Sequence, residues 1–483
     1  MHFVDLGVIL AYLIGVTWFG ARFRHGHKNL NDYFLGGRSA PWWAISLSIV
    51  SAETSTLTIV GTPGLSFGGN FGFLQIVFGY LLARVVISLV FLPQYFSGRM
   101  FTAYELMQRR FGSRIRKLTA ATFLVTRSLA EGVRVFAVSI VISIVLGTGE
   151  TASIVLIVCL TMFYTFEGGM TAVIWTDVVQ MTMYVLGAGL SFWIILAKIP
   201  GGWPHVVQVA GAAGKFQVLN FHFSWTQPYN FWAGIVGGCF LTTASHGTDQ
   251  LIVQRLLSAQ TENQSRAALF ASWVVVFLQF SLFLAIGVLL FVHYGDNRLA
   301  APRPLDRLYP QFIWDSLPVG VAGLVTAAIL AAAMANLSAA LNSLATTTVV
   351  DFYRPVAGNF GGMDDRRMLR LARGATVLWG IVLVIIGMIA THWGSVLESG
   401  LSIASVTLGM LLGVFLLGVL TKRVGEKDAM VGVVAGLAAI LYVKIETHIA
   451  FTWWVMIGSM VTFFVGYLCS FVFPKEIFAR TKA

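Results

Sequence analysis

The sequence predicts an all-α protein that crosses a membrane about thirteen times. Of its 483 residues, 57% are hydrophobic and 11% are charged, whereas soluble domains carry about 25% charged residues. The hydrophobic residues fall in long runs, most of them close to the ~20 residues that a spanning helix needs. Basic residues are concentrated in alternate connections between these runs, which is typical of polytopic membrane proteins.

The predicted spans are separated by short polar connections. The two longest hydrophilic segments, 198–229 and 295–316, have the length of loops, so no soluble domain is expected between the spans. Spans longer than the minimum can tilt or extend beyond the bilayer. In chain order the spans are 3–21, 41–66, 72–97, 117–147, 151–167, 171–197, 230–250, 267–294, 317–347, 372–391, 396–420, 428–445 and 449–472.

The net charge of +11 is carried mostly by connections on one side of the predicted membrane. These connections and the residues that adjoin them hold 23 lysines and arginines, whereas the opposite connections hold 5. Cytoplasmic loops of membrane proteins are enriched in lysine and arginine. We therefore expect the N-terminus outside, the C-terminus in the cytoplasm, and no nucleic-acid partner. The basic side comprises 22–40, 98–116, 251–266, 348–371, 421–427 and 473–483.

The sequence contains neither a nucleotide-binding glycine loop nor a zinc motif. Cys159, Cys239 and Cys469 lie in apolar runs without metal-ligand spacing, so we expect them to be packing residues. ATP-driven transport by this chain alone is not expected. A membrane enzyme would need a catalytic constellation near the interface, and His25 and His27 are better interpreted as solvated side chains of a basic loop.

Two of the predicted spans are interrupted by glycines and small hydroxylated residues. The second contains 51–58 followed by Gly61-Thr62-Pro63-Gly64, and the seventh contains 237–250. Such residues allow close packing of helices. They also occur in unwound segments whose carbonyls and helix ends bind ions and solutes at mid-membrane. We favour unwound segments, because the two interruptions occupy corresponding positions.

This correspondence divides the chain into two repeats. Spans two to six and spans seven to eleven form two sets of five, and an odd number makes the sets enter the membrane from opposite sides. The expected organisation is a peripheral first helix and cytoplasmic loop at 1–40, a first repeat at 41–197 and an extracellular loop at 198–229. A second repeat follows at 230–420, and two peripheral helices with a cytoplasmic tail occupy 421–483.

Asp177 lies just inside the sixth predicted span. It belongs to the stretch Gly168-Gly169-Met170-Thr171-Ala172-Val173-Ile174-Trp175-Thr176-Asp177-Val178-Val179-Gln180, from which apolar residues continue to Ala197. A carboxylate in hydrocarbon is costly and usually marks a path for ions or solutes. The alternative is a structural or gating carboxylate that is hydrogen-bonded to neighbouring spans.

The fourth span carries Arg127, Glu131 and Arg134 on one helical face, because their offsets are four and seven residues. Buried charges must be paired, and one acid cannot neutralise two arginines. Arg84 adds a further positive charge in the third span, and Glu53 can partner one of the arginines. The remaining charge suits an anionic solute, since arginine binds carboxylates with two hydrogen bonds. The alternative is a closed network that only holds helices together.

Together with the Asp177 stretch, three further blocks of the sequence resemble the sodium/solute symporter family over roughly residues 30–430. The resemblance implies a leucine-transporter (LeuT) type fold, with a 5+5 inverted repeat. The three blocks are Asp32-Tyr33-Phe34-Leu35-Gly36-Gly37-Arg38 before Pro41-Trp42-Trp43, Gly247-Thr248-Asp249-Gln250 before Gln254-Arg255, and Ala339-Ala340-Leu341-Asn342-Ser343 before Asp351-Phe352-Tyr353.

The resemblance implies sodium as the coupling ion. The main site would use backbone carbonyls of Ser51, Thr54 and Ala332, and side chains at positions that match Ala335 and Asn336. Hard cations favour oxygen ligands, which the Asn336 amide supplies and the Ala335 methyl group does not. A second cation site would use Asp177 and Ser338, but Ala339 lacks the hydroxyl group found in relatives with that site.

The resemblance also implies a solute pocket between the two interrupted spans. Polar residues at these positions suit hydroxyl, amide and carboxylate groups of a solute. The aromatic gate of sugar-transporting relatives is absent at Ser245 and His246, which argues against a plain hexose. The candidate residues are Glu53, Ser55 and Thr58 in the second span, Thr242, Ser245 and His246 in the seventh, and Gln75, Gln279 and Arg134 around them.

These observations predict a plasma-membrane symporter that carries a small polar solute, one with a carboxylate, together with Na⁺ by alternating access. A monomer is the expected transport unit. Glu53 and His246 provide a case for proton coupling instead, since histidine titrates near neutral pH. A sodium/sugar symporter and a solute sensor without transport remain further alternatives. The missing hydroxyl groups at Ala335 and Ala339 are the support for the sensor.

Overall fold

A computed structural model describes residues 3–21, 35–97, 103–164, 170–295, 301–353, 365–393 and 395–472. Within these ranges every regular element is a helix. The α-helices are α1 (Phe3–Ala21), α2 (Trp42–Glu53), α3 (Thr56–Gly68), α4 (Leu74–Val86), α5 (Leu92–Phe96), α6 (Ala103–Arg110), α7 (Ser113–Leu146), α8 (Glu150–Tyr164), α9 (Met170–Ala197), α10 (Gly202–Ala212), α11 (Gly238–Gly247), α12 (Gln250–Leu257), α13 (Glu262–Tyr294), α14 (Leu308–Ser316), α15 (Val321–Thr347), α16 (Asp365–Ala390), α17 (Val396–Leu420), α18 (Glu426–Glu446) and α19 (Phe451–Val472).

Seven helices in the described ranges are long and apolar enough to cross a membrane, and the bent pair α2–α3 makes an eighth candidate. One of the seven is the continuous helical stretch Phe71–Phe96, in which α4 and α5 are joined by the π-helix Ile87–Phe91. Helices α1, α8, α15 and α16 also fall on predicted spans, and their apolar portions are shorter. The all-helical, multi-span prediction is confirmed, whereas the count of thirteen stays a prediction.

The second predicted span is broken, as its sequence indicates. Helix α2 ends at Glu53, Thr54 is extended (φ −84°, ψ 97°), and α3 leaves at an angle of 65°. Ser55 caps α3, and its hydroxyl oxygen accepts a hydrogen bond from the Leu57 backbone N–H at 3.3 Å. Such capping satisfies an orphan donor of the new helix. The break therefore places backbone carbonyls and a helix N-terminus inside the protein.

The seventh predicted span is helical in the region where we expected an unwound segment. It begins as the π-helix Ala233–Gly237 and continues as the uninterrupted α11, and only Thr248 and Asp249 separate α11 from α12. The glycines serve close packing instead of unwinding. A Cβ atom on Gly234 would lie 2.6 Å from the Gln75 backbone carbon, and one on Gly238 would lie 2.5 Å from the Ile76 carbonyl oxygen.

The broken span is surrounded by other helices, and this position shapes the candidate site. Helix α2 contacts α9, α12 and α13, whereas α3 contacts α7, α13, α15 and α17. Lys215, which lies beyond α10, fixes the far end of α3, because its ammonium group donates to the carbonyls of Phe67 at 2.7 Å and Gly69 at 2.8 Å. Large apolar side chains at the protein surface, such as Leu186, Trp193 and Leu278, suit contact with lipid.

Candidate solute and ion site

A cavity of ≈ 150 Å³ lies beside the break in the second span. It is enclosed by residues of α2, α3, α4, α7, α11, α12, α13 and α17. Seven of the nine predicted solute-site residues line it together, although they come from three separate parts of the chain, 53–58, Arg134 and 242–246. These seven residues are Glu53, Ser55, Thr58, Arg134, Thr242, Ser245 and His246.

The other two predicted residues, Gln75 and Gln279, do not line this cavity. Gln75 holds the loop before the seventh span, since its amide nitrogen donates to the carbonyls of Gly72 and Tyr229 and its oxygen accepts from the Asn220 N–H. Gln279 bonds the Thr54 hydroxyl group at 2.7–3.0 Å. Gln279 therefore stabilises the break from outside the cavity.

Glu53 is the centre of a buried polar cluster at one side of the cavity. One of its carboxylate oxygens, Oε2, lies 3.1 Å from Arg84 Nη2 and 3.1 Å from His246 Nε2. Arg84 is completely buried, so its guanidinium charge depends on this partner. The predicted pairing of Glu53 with an arginine is present, and the cluster ties the ends of α2 and α11 to α4.

Arg127, Glu131 and Arg134 form the predicted charged face of α7. Glu131 contacts both arginines, at 2.8 Å from Arg127 Nη2 and more closely from Arg134 Nη1. Asp249 adds a weaker contact, 3.9 Å from Arg127 Nη1. Within the described part of the chain, Arg134 Nε and Arg127 Nε lack hydrogen-bond partners. Both residues line the larger cavity, and their buried Nε–H groups are without an acceptor among the described residues next to it.

A second, smaller cavity of ≈ 10 Å³ adjoins the first through Ser55 and Arg134. It is about the size that a single water molecule requires. Asn336, Thr56 and Glu131 line it, and Asn336 Nδ2 has no hydrogen-bond partner among the described residues although it is buried. Asn336 therefore lies beside the break, next to the hydroxyl-bearing residues Ser55 and Thr56.

The other predicted ion ligands except Asp177 lie at the end of α2 and on α15. Ser51 lies in the last turn of α2 and Thr54 directly follows this helix. Ala332 and Ala335 belong to α15, but their side chains lie outside the described residues, as do 22–34 and Gly168-Gly169 of the quoted blocks. Ser338 is partly buried on α15. In the described ranges, no group of three His, Cys, Asp or Glu side chains is arranged for a metal ion.

Asp177 is almost completely buried and is engaged by two side chains. Its Oδ2 atom accepts hydrogen bonds from Ser48 at 2.5 Å and from Arg255 Nη2 at 2.9 Å. Arg255 Nε also donates to Ser48 at 2.8 Å, which closes a three-membered network between α2, α9 and α12. Asp177 therefore has the helix-linking partners that the structural alternative predicts.

Sequence reasoning missed several residues of this region. Tyr80, Phe73 and Phe280 line the cavity, and the Phe73 and Phe280 rings pack against each other at a tilt of 33°, with their centroids 4.8 Å apart. Arg255 was visible only as part of a family-like block, without a partner. Asp306, on a connection near α17, accepts from the Val396 N–H at 3.0 Å, and burial raises the pKa of its carboxyl group.

Comparisons with known proteins show the family to which this chain belongs. A family model described as "Sodium:solute symporter family" matches residues 33–436. The sodium/sialic acid symporter NanT of Aliivibrio fischeri is 28% identical, covering 97% of this chain and 93% of its own. The human sodium-coupled monocarboxylate transporter 1 is 29% identical, covering 88% and 70%.

The structure is also similar to a solved one. A substrate-bound, outward-open Na⁺-coupled sialic acid symporter superimposes with a TM-score of 0.87 at 26% identity, over 98% of this chain and 99% of the other. The family model spans most of the present sequence, and the fold similarity covers nearly all of it. The chain belongs to the sodium:solute symporter family.

Proposed function

We propose that this protein imports a small carboxylate together with Na⁺. Membership of the family makes it a transporter of the plasma membrane, not an enzyme. Arg134 is the observation that carries the solute class: it lines the cavity, shares the Glu131 carboxylate with Arg127, and has an unbonded Nε donor in the described structure. A carboxylate solute would give the Arg134 guanidinium group a second acidic partner beside the shared Glu131 carboxylate. The named relatives support this class, because sialic acid and monocarboxylates both carry a carboxylate.

Sodium would bind at the break in the second span. The proposed ligands are the carbonyls of Ser51, Thr54 and Ala332 and the Asn336 amide oxygen, with Ala335 contributing no oxygen. A second ion would use Asp177 and Ser338. Because Ser55 lines both the larger and the smaller cavity, an ion that orders the break also positions the solute site. Each positive charge moving inward across 100 mV releases about 2.3 kcal/mol.

The finer architecture belongs to the same proposal. Thirteen spans would place a LeuT-type 5+5 inverted repeat at 41–197 and 230–420, with one helix before it and two after it. The basic connections would face the cytoplasm, and the monomer would transport alone. Alternating access would follow from rocking of one repeat against the other around the fixed site.

Proton coupling is the second candidate, and one observation favours it. His246 Nε2 on α11 lies 3.1 Å from Glu53 Oε2 at the end of α2. A carboxylate and an imidazole in contact can exchange a proton when the cavity opens to either side. Uptake would then depend on the pH gradient and would persist without Na⁺.

Thermal stabilisation of the purified protein tests the proposal. Sugars, amino acids and small carboxylates are compared in sodium and in potassium salts, since a ligand that binds the folded state raises the unfolding temperature. We expect shifts from carboxylates, larger in sodium. Arg134→Ala should abolish them, whereas Arg266→Ala, which removes an ion pair with Glu262 elsewhere on the protein, should not. Shifts from sugars alone would refute the proposal, and shifts that follow pH but not sodium would favour proton coupling.

A further inference from the structure

We propose that the transported carboxylate carries a hydrogen-bond donor, a hydroxyl or an ammonium group, which Glu53 and Ser245 recognise. This inference rests on the proposed function, because it describes the part of the solute that lies away from its carboxylate. The two residues present only acceptors to the cavity, and His246 fixes them in that state. His246 therefore acts as a positioning residue.

Glu53 has one engaged and one available oxygen. Both of its partners, Arg84 and His246, contact the same atom, Oε2. Within the part of the chain that the structure describes, no hydrogen bond to Oε1 is present. The side chain lines the larger cavity and is 13% exposed, in contrast to the fully buried Arg84. Oε1 can therefore accept a hydrogen bond from a molecule in the cavity.

Ser245 is made an acceptor by its neighbour His246. A carboxylate paired with arginine only accepts hydrogen bonds, so a neutral His246 donates through Nε2 and keeps its Nδ1 lone pair. Ser245 Oγ lies 2.9 Å from this Nδ1 atom, and with the neutral ring in that tautomer it donates its proton there. The alternative acceptor, the Thr242 carbonyl at 3.4 Å, would occupy the same proton. With this tautomer, both arrangements leave Ser245 only its oxygen lone pairs for a molecule in the cavity.

The cavity is therefore polarised. Arg134 supplies donors, while Glu53 and Ser245 supply acceptors in the same enclosed volume of ≈ 150 Å³. A solute with a carboxylate and no donor would leave the two acceptors without partners, which is costly in a buried site. A solute that bears both groups would satisfy both sets. Small hydroxy acids and amino acids share this chemistry.

The experiment uses three probes of nearly equal size: propionate, lactate and alanine. Their affinities for the purified protein in sodium are measured from concentration-dependent thermal shifts. We expect lactate or alanine to bind at least about ten-fold more tightly than propionate, because buried polar groups reject analogues that cannot pair with them. Preference for lactate assigns a hydroxyl group, and preference for alanine assigns an ammonium group.

Ser245→Ala provides the residue-level test. It should reduce the preference over propionate by about ten-fold while propionate itself binds as before, since only the solute's donor loses its partner. Ser281→Ala is the matched control, because this hydroxyl group bonds the Phe277 carbonyl and does not line the cavity. The control should keep the preference.

The outcomes separate this inference from the proposed function. Equal affinities for the three probes would overturn the inference and leave carboxylate transport intact. The inference would also be overturned if Ser245→Ala lowered the affinity for propionate as strongly as the affinity for lactate, because the residue would then have a structural role. If no carboxylate raised the unfolding temperature in sodium, the proposed function itself would be refuted, and the inference with it.

Discussion

Asn336 is the single residue on which the proposed sodium site depends most directly. It is buried beside the break, its Nδ2 atom lacks a partner in the described structure, and it lines the smaller cavity with Ser55 and Thr56. We expect Asn336→Ala to raise the sodium half-saturation of uptake about ten-fold, which corresponds to ~1.4 kcal/mol for a lost oxygen ligand. Ser343→Ala on the same helix, whose hydroxyl group bonds Ala339, is the control. Unchanged sodium dependence in Asn336→Ala would contradict the proposed site.

Asp177 and Arg255 depend on each other as buried charges. Removing one charge leaves the other uncompensated, which typically costs about 3–5 kcal/mol. We therefore expect Asp177→Asn to lower the unfolding temperature strongly in sodium and potassium alike, and the double variant Asp177→Asn/Arg255→Gln to recover more than half of the loss. A double variant as unstable as Asp177→Asn alone would contradict this account. A raised sodium half-saturation in the double variant would support the second cation site.

At the residue scale, the sequence revealed charges better than it revealed partners. Glu53 was predicted to pair with an arginine, because the spans contain few acids and several arginines. The pairing of Asp177 with Arg255 was not predicted, since contacts between distant spans depend on how each helix is rotated. The family resemblance placed Gln75 and Gln279 in the pocket. In the structure each side chain instead bonds a partner outside the cavity, Gln75 the Tyr229 carbonyl and Gln279 the Thr54 hydroxyl group.

At the scale of the elements, glycines decide how closely the seventh span packs on α4. A Cβ atom on Gly79 would lie 2.3 Å from the Gly234 carbonyl oxygen, whereas one on Gly189 in α9 would have no atom within 4 Å. We expect Gly79→Ala to destabilise the protein by about 1–3 kcal/mol through overpacking. Gly189→Ala should stabilise it by up to ~1 kcal/mol, because alanine favours helix. Thermal unfolding measures both, and equal effects would contradict this packing.

The sequence did not reveal which of the two segments rich in glycine, serine and threonine unwinds. Gly, Ser and Thr favour both unwinding and close packing, so their presence alone does not choose between the two. The second span unwinds at Thr54, where Ser55 caps a new helix and Gln279 bonds the freed threonine side chain. Helix α11 keeps its hydrogen bonds, and the glycine at its start, Gly238, lies directly against the backbone of α4. The difference lies in the neighbouring helix, which a sequence pattern does not contain.

At the scale of the whole molecule, hydrophobic runs were enough to predict a multi-span helical protein. Burial in lipid forces every backbone group to bond within its own helix, so a long apolar run has few other structures available. The angle between α2 and α3 and the cavity beside them depend on side-chain packing across many spans. The candidate site was therefore predictable as a set of residues only through the family resemblance, and its contacts required coordinates.

The distribution of basic residues predicts the orientation of the chain across the membrane. Basic residues number 23 on one set of connections and 5 on the other, and such an imbalance sets topology when the loops are short. We expect Gln227→Cys to lie outside and Asn263→Cys to face the cytoplasm, each introduced after replacement of the three native cysteines. A membrane-impermeant maleimide added to intact cells should label only the first, and permeabilised cells should show both. Labelling of Asn263→Cys alone in intact cells would mean that the orientation is the reverse of the predicted one. Labelling of both residues in intact cells would contradict the single span that we predict between residues 227 and 263.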